Sequence, residues 1–162
     1  MFSHFSKVLI GGAPISNQLV KQIQQLSSTS FYESYGSTET LTHIALRNIS
    51  NHEIAFTALP TITLASKNDQ LGIYAPHISE STLVTNDVVQ YISENQFIWK
   101  GRADYVINSG GVKIHPEQIE LKLASEIDST FIVAGIPHDN LGEQVVLIVE
   151  GKSENFVNVD FS

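Results

Sequence analysis

From about Leu41 to Lys100 the sequence shows no helical period, and that constrains the fold more than any other feature. Short segments rich in β-branched and aromatic residues alternate there with Asn, Asp, Gly and Pro, the pattern of strands cut by turns. Candidate strands are His43–Arg47, Ile54–Thr57, Thr61–Ala65, Gly72–Ala75, Thr82–Val84, Val88–Ile92 and Phe97–Trp99, with Asn95 in a turn between the last two. They predict a small, mostly antiparallel sheet or barrel.

The flanks have a different texture. Upstream, Lys7-Val8-Leu9-Ile10 reads as a buried strand ending at Gly11-Gly12, followed by Ala13-Pro14 and a helix. Ser16 suits the N-cap, Ile15, Leu19, Ile23 and Leu26 recur at helical spacing, and Ser27-Ser28-Thr29-Ser30 ends the run. Phe31 to Tyr35 is a further strand. Strand, helix, strand predicts a parallel α/β unit, whose ligands sit at strand C-termini. Downstream, Tyr105–Ile107 and Val112–Ile114 flank Asn108-Ser109-Gly110-Gly111 as a hairpin. Pro116 suits the first position of a helix, with Glu117 and Glu120 near its positive end and Ile119, Leu123 and Ile127 as the buried stripe. Phe131–Ala134 and Val145–Val149 are strands of a second sheet. A boundary is placed near Gly101-Arg102, dividing residues 1–101 from 102–162. The tail from Gly151 to Ser162 receives no assignment.

Composition removes several classes of function. The 162 residues are 42% apolar and 16% charged, which suffices for a packed core. A formal net charge of −8 argues against a nucleic-acid surface, because duplex binding needs cations facing phosphates. The chain has no cysteine, so it has neither a disulfide frame nor thiolate chemistry, which fits the cytoplasm. No apolar run is long enough to span a bilayer, and the start, Met1 to Lys7, lacks the blocks of a signal peptide. The six histidines have no metal-ligand spacing, and no Ser/His/Asp set suggests a hydrolase. His43 lies close enough to the first motif to line its pocket, or is simply a surface or core residue. Lys113 is assigned no catalytic role.

Two phrases carry the chemistry, the second being Gly101-Arg102-Ala103-Asp104 leading into Gly110-Gly111-Val112-Lys113-Ile114. Tyr35-Gly36-Ser37-Thr38-Glu39-Thr40 packs a flat ring, a glycine, hydroxyls and a carboxylate into one loop. The ring of Tyr35 offers a face for a purine. Gly36 lets a ligand approach the main chain. Thr38 can donate to a phosphate oxygen. Glu39 can hold Mg²⁺, which takes one or two protein carboxylates plus phosphate oxygens. A strand end followed by a capped turn is the bland alternative. Gly11-Gly12-Ala13-Pro14 can line a flat base or be an ordinary strand–helix turn. Asp87 can accept from ribose hydroxyls or be a turn aspartate. Arg102 has a planar fork of donors suited to ribose or phosphate oxygens, or is a surface arginine. Asp104 sits at the texture change as a hinge or a linker residue.

The order Gly-Gly-Ala-Pro, Tyr-Gly-Ser-Thr-Glu-Thr, Thr85-Asn86-Asp87 and Gly101-Arg102-Ala103-Asp104 through Gly110-Gly111-Val112-Lys113-Ile114 resembles the AMP-forming acyl-CoA synthetase (adenylate-forming ligase) superfamily over roughly residues 7–150. Thr40 to Arg47, Phe56 to Pro60 and Leu83 to Asp87 look most like the 2-succinylbenzoate–CoA ligases of menaquinone synthesis. The resemblance implies the end of a large AMP-binding domain, a parallel α/β unit plus a small antiparallel β-barrel, followed by the start of a small α+β C-terminal domain. It implies ATP or AMP, Mg²⁺, coenzyme A and a small carboxylic acid as ligands. Tyr35 would stack on adenine opposite Gly12, Ala13 and Pro14. Thr38 would contact phosphate, Glu39 would hold Mg²⁺, Asp87 and Arg102 would grip the ribose, and Asp104 would be the hinge between half-reactions. The family's upstream phosphate loop and C-terminal lysine have no counterpart here, so the chain is expected to be an inactive internal piece prone to self-association. Asn86 stands where the family usually has glycine. A ligase of the same family for another aryl or fatty acid, and a non-catalytic binding or assembly module, are the alternatives.

Overall fold

The structure, a computed structural model, describes residues 4–26 and 28–151. The first three residues, Ser27 of the serine-rich run and the tail beyond Gly151 lie outside it. The chain forms two compact units, Met1–Asp104 and Tyr105–Ser162.

The first unit is built on one eight-stranded sheet. Strand β1 (Lys7–Ile10) leads into helix α1 (Asn17–Gln24), then β2 (Ser30–Gly36) and β3 (His43–Asn48). Short β4 (Phe56–Ala58), β5 (Thr63–Lys67), β6 (Gln70–Tyr74), long β7 (Leu83–Ser93) and β8 (Gln96–Arg102) follow. The spatial order is β1-β2-β3-β4-β8-β7-β6-β5. Only β1 and β2 are parallel; every other pairing is antiparallel. The parallel pair and the antiparallel region were expected as separate pieces. They are continuous, because β3 turns back onto β2. The two expected strands Thr82–Val84 and Val88–Ile92 are one strand, since Thr85-Asn86-Asp87 stays extended despite its turn-forming composition.

Local chemistry explains the elements. Ser16 caps α1 by accepting the Leu19 N–H at 3.3 Å. The buried side of this helix differs from the expected stripe. Ile15 and Ile23 are buried with Val20 beside them against Phe31 and Ile49, whereas Leu19 and Leu26 are exposed. Asn68 and Asp69, at φ of 54° and 66°, make the two-residue turn between β5 and β6. Both tolerate left-handed angles, as a turn matched to strand twist requires. The main core gathers Ile44, Phe56, Leu71, Ile73 and Phe97 between the strands. Phe97 and Leu71 are wholly buried, and each such side chain contributes about 1.5–3 kcal/mol through removal from water.

The second unit holds β9 (Ile107–Ser109), β10 (Val112–Ile114), α2 (Pro116–Leu123), β11 (Phe131–His138) and β12 (Gly142–Val149). Its sheet runs β10-β9-β12-β11. The first hairpin closes on Gly110 and Gly111 at φ of 58° and 84°, angles that favour glycine at both positions. Pro116 occupies the first turn of α2, and Glu120 from the helix accepts the Val133 N–H at 2.8 Å. Residues 103–105 form a 3₁₀ turn that takes in Tyr105, the first residue of the expected strand Tyr105–Ile107, so β9 starts at Ile107. Among the described residues no helix is long and apolar enough to cross a membrane.

Candidate functional site

Asp87 organises the site. It lies in β7 with 8% exposure and sits opposite Arg102 in the β7–β8 register. Tyr35, near the end of β2, donates its hydroxyl to Asp87 Oδ2 at 2.6 Å, and Trp99 Nε1 donates to Oδ1 at 3.0 Å. The Asp87 N–H is held by Thr85 Oγ1 at 3.2 Å. Each carboxylate oxygen keeps acceptor capacity for a further donor. Tyr35, Asp87 and Arg102, separated by many residues in sequence, therefore meet at one place.

A β-bulge makes this meeting possible. Val88 pairs with Gly101 and Val89 with Trp99, so Lys100 is an extra residue in β8. In an unbroken strand Trp99 and Arg102, three apart, point to opposite faces. The bulge brings both to the Asp87 side, the re-aiming that bulges provide near functional sites. Gly101, buried at φ 143°, supplies the backbone angle.

The ring of Tyr35 is half-buried, 5.1 Å from Phe97 in edge-on contact and 5.8 Å from Phe56. Burial raises its phenol well above the usual tyrosine range; the neighbouring charge of Asp87 and its hydrogen bond add to this, while Thr85 and Arg102 oppose it. The phenol is thus a fixed donor.

Gly11 to Pro14 are exposed and leave β1 immediately after Ile10, which pairs with Glu33 two residues before Tyr35. The register therefore brings this loop to the strand end that carries the ring. Gly12 has φ 102° and open space around it. At Gly36 the close neighbour is the chain itself: an added Cβ would lie 2.8 Å from His43 Cα, so the glycine is demanded by the return of β3 as much as by any ligand.

Thr38 and Glu39 occupy an exposed turn. Its organiser is Thr40, wholly buried, whose hydroxyl accepts the Ser37 N–H at 2.9 Å and contacts the carbonyls of Ser37 and Thr42 at 3.0 and 2.8 Å. The Glu39 carboxyl is held below the usual carboxylate range, first by the Ser37 hydroxyl, then by its own backbone, with a smaller contribution from Arg102. Among the described residues no group of three or more His, Cys, Asp or Glu is placed to hold a metal. A Mg²⁺ at Glu39 would thus rely on one carboxylate and on oxygens of a phosphate ligand, a mode this ion accepts.

Arg102 and Asp104 form an exposed ion pair at 3.5 Å. Asn86 donates its amide to the same Asp104 oxygen. Asn86 therefore ties the strand beside Asp87 to the residue expected as a hinge, a contact glycine could not make. Thr40, Trp99 and Asn86 escaped sequence reading as site residues. Thr40 and Asn86 stood inside quoted motifs without a role, and Trp99 carried a signal as the chain's one tryptophan three residues before Arg102.

No protein-family model matches the chain. Among curated proteins it is 27% identical over 176 residues to the "Putative long chain fatty acid-CoA ligase VraA" of Staphylococcus haemolyticus, a match covering 94% of this chain and 37% of that protein. Among solved structures it is similar to an acyl-CoA synthetase (AMP-forming)/AMP-acid ligase II-like protein from Dyadobacter fermentans, at 38% identity and TM-score 0.58, covering 90% of this chain and 43% of that one. The o-succinylbenzoate CoA synthetase of Bacillus subtilis, in complex with its acyl-adenylate intermediate, shares the fold at TM-score 0.75 and 20% identity, covering 90% of this chain and 37% of that one. The chain spans less than half the length of each.

Proposed function

We propose, from the premise that the chain belongs to the AMP-forming acyl-CoA synthetase superfamily, that it supplies the nucleotide end of an ATP-dependent acid–CoA ligase. In that reaction a carboxylate attacks the α-phosphorus of ATP, forming an acyl-adenylate and releasing pyrophosphate. The thiol of coenzyme A then takes the acyl group and AMP leaves. The observation that carries the reading is the convergence of Tyr35, Asp87 and Arg102.

In this reading the open part of the Tyr35 ring faces adenine, with Gly12, Ala13 and Pro14 as the opposite wall. Asp87 accepts from the ribose hydroxyls while Tyr35 and Trp99 keep its carboxylate in place, and Arg102 adds donors on the same face. Thr38 binds phosphate and Glu39 holds Mg²⁺, which when bound neutralises charge developing on the phosphates. Residues 1–101 belong to a large AMP-binding domain and 102–162 to a small C-terminal domain. Asp104, the last residue of the first compact unit, is the hinge between them, and it is held there by its bonds to Arg102 and Asn86. A cytoplasmic setting belongs to the same reading, which a chain without cysteine fits. Open apolar side chains such as Leu9, Ile132 and Ile148 favour self-association, which light scattering measures.

For the acid, the segment Thr40 to Arg47 motivates 2-succinylbenzoate and a role in menaquinone synthesis. A long-chain fatty acid is the second reading, favoured by the name of the curated relative. A panel of both acids, tested on the whole ligase, separates them.

The single tryptophan is a built-in reporter, since its N–H touches Asp87. Titrating AMP into the chain should change Trp99 fluorescence in a saturable way, and Asp87→Asn should abolish the change. A flat titration at millimolar AMP would reject the reading. The 162 residues alone should form no CoA thioester; product detected by mass spectrometry would overturn that expectation.

A further inference from the structure

Strand β2 carries more than Tyr35. Two residues earlier lies Glu33, which is 4% exposed. Its Oε1 accepts the N–H of Ile15 at 3.3 Å, where the Gly11–Pro14 loop ends. One residue on, Ser34 donates to the carbonyl of Ile10 at 3.3 Å, where the loop begins. Both ends of the loop are therefore fastened to β2.

The second oxygen of Glu33 is taken by Arg47, its partner in the β2–β3 register. Arg47 also donates to the Ile54 carbonyl at 3.2 Å, and its guanidinium lies 4.9 Å from the centre of the Phe56 ring. Phe56 stacks on Phe97 at 5.6 Å, and Phe97 meets Tyr35. An unbroken series of contacts thus links the loop to the ring of Tyr35 through one ion pair, its acid buried and its base 21% exposed. Such a pair is a weak stabilising device, because desolvation offsets most of its attraction, and apolar side chains of similar volume do as well. Its value here is positional.

We propose that Glu33 and Arg47 are positioning residues for the base of the nucleotide, setting the separation between the Gly11–Pro14 loop and the Tyr35 ring. The proposal rests on the adenosine reading above. Neither residue touches the ligand; both act through the walls.

The test compares AMP with ribose 5-phosphate, which lacks the base, by Trp99 fluorescence on the full chain. Glu33→Ala should weaken AMP about tenfold, the scale of one lost charge-assisted hydrogen bond, and leave ribose 5-phosphate within about twofold. Glu33→Gln keeps an oxygen for the Ile15 N–H and should recover AMP to within about threefold of the original chain. The pair Glu33→Leu with Arg47→Met should keep the fold but show the same loss for AMP, so the test survives if Glu33→Ala does not fold. Equal weakening of both ligands, or AMP bound normally by the paired variant, would overturn the proposal. Failure of AMP to bind the original chain would remove the adenosine reading itself, a separate outcome.

Discussion

At the Asp87 end of the site the polar groups stand on strands and are bonded to one another; at the Thr38–Glu39 end they stand on an exposed turn. Asp87 and Trp99 belong to β7 and β8, and Tyr35 to β2, with the hydrophobic core beneath. Thr38 and Glu39 face solvent and depend on one buried hydroxyl beside them, that of Thr40. The difference matches the chemistry each end would serve. An adenosine has one shape throughout a reaction and suits a rigid cradle. Phosphate and metal change coordination as bonds form and break, and suit a loop whose carboxylate is exposed.

The largest effect should come from the rigid end. Asp87→Ala leaves the Tyr35 hydroxyl and the Trp99 N–H without their acceptor in a half-buried place. At about 1–3 kcal/mol for each orphaned donor, a loss of about 3 kcal/mol in urea unfolding is expected. A loss below about 1 kcal/mol would mean that water reaches both donors, and that the cradle is not rigid. Next is Thr40→Val, which keeps shape and removes the hydroxyl. It should destabilise by about 2 kcal/mol by exposing the Ser37 N–H and two carbonyls to an apolar neighbour. It should also weaken ATP more than AMP, because in the proposed reading the turn serves the outer phosphates. Equal weakening of the two would erase the distinction between the ends.

A third prediction uses pH. Burial and Asp87 raise the phenol pKa of Tyr35 in the folded chain. In the unfolded chain a tyrosine titrates near 10. Below about pH 10 both states hold the proton and stability is unaffected; above it the unfolded state has lost a proton that the folded state keeps. Stability should therefore fall as pH rises past about 10, by about 1.4 kcal/mol per unit for this group. Tyr35→Phe should remove about 1 kcal/mol of that fall in urea titrations between pH 10 and 11, where the unfolded tyrosine is only partly ionised. An unchanged slope would place the phenol in contact with solvent.

The residue types proposed to contact a ligand were legible in the chain, because ring, carboxylate and guanidinium each have a restricted chemistry and fell into an ordered set of motifs. Their meeting at one point was legible only as an expectation. It depends on a β2–β3 return and on an extra residue at Lys100, and neither leaves a periodic mark. The supports were harder still. Thr40 reads as one more polar loop residue, although it is wholly buried. Glu33 reads as a surface charge on a polar strand, although it holds the first loop in place. The stripe of α1 misled for a related reason: two apolar positions at helical spacing, Leu19 and Leu26, fall outside the contact made by a helix only eight residues long. Continuity of the sheet was hidden because strand pairing is a long-range property, while turns and alternation are local.

The smallest predicted effect has the opposite sign and is possible only at the loop. Leu41 follows Thr40 with φ 59° and is 82% exposed. A left-handed angle costs an ordinary L-residue about 1–2 kcal/mol, and an exposed side chain recovers little of that by packing. Asparagine visits this region readily. Leu41→Asn should therefore raise stability by about 0.5–1 kcal/mol, seen as a higher urea midpoint at constant slope. No comparable gain is available around Asp87, where each polar group already has a partner and substitution can only remove one. Should Leu41→Asn lower the midpoint instead, the leucine would be packing against something, and the turn would belong with the rigid end of the site.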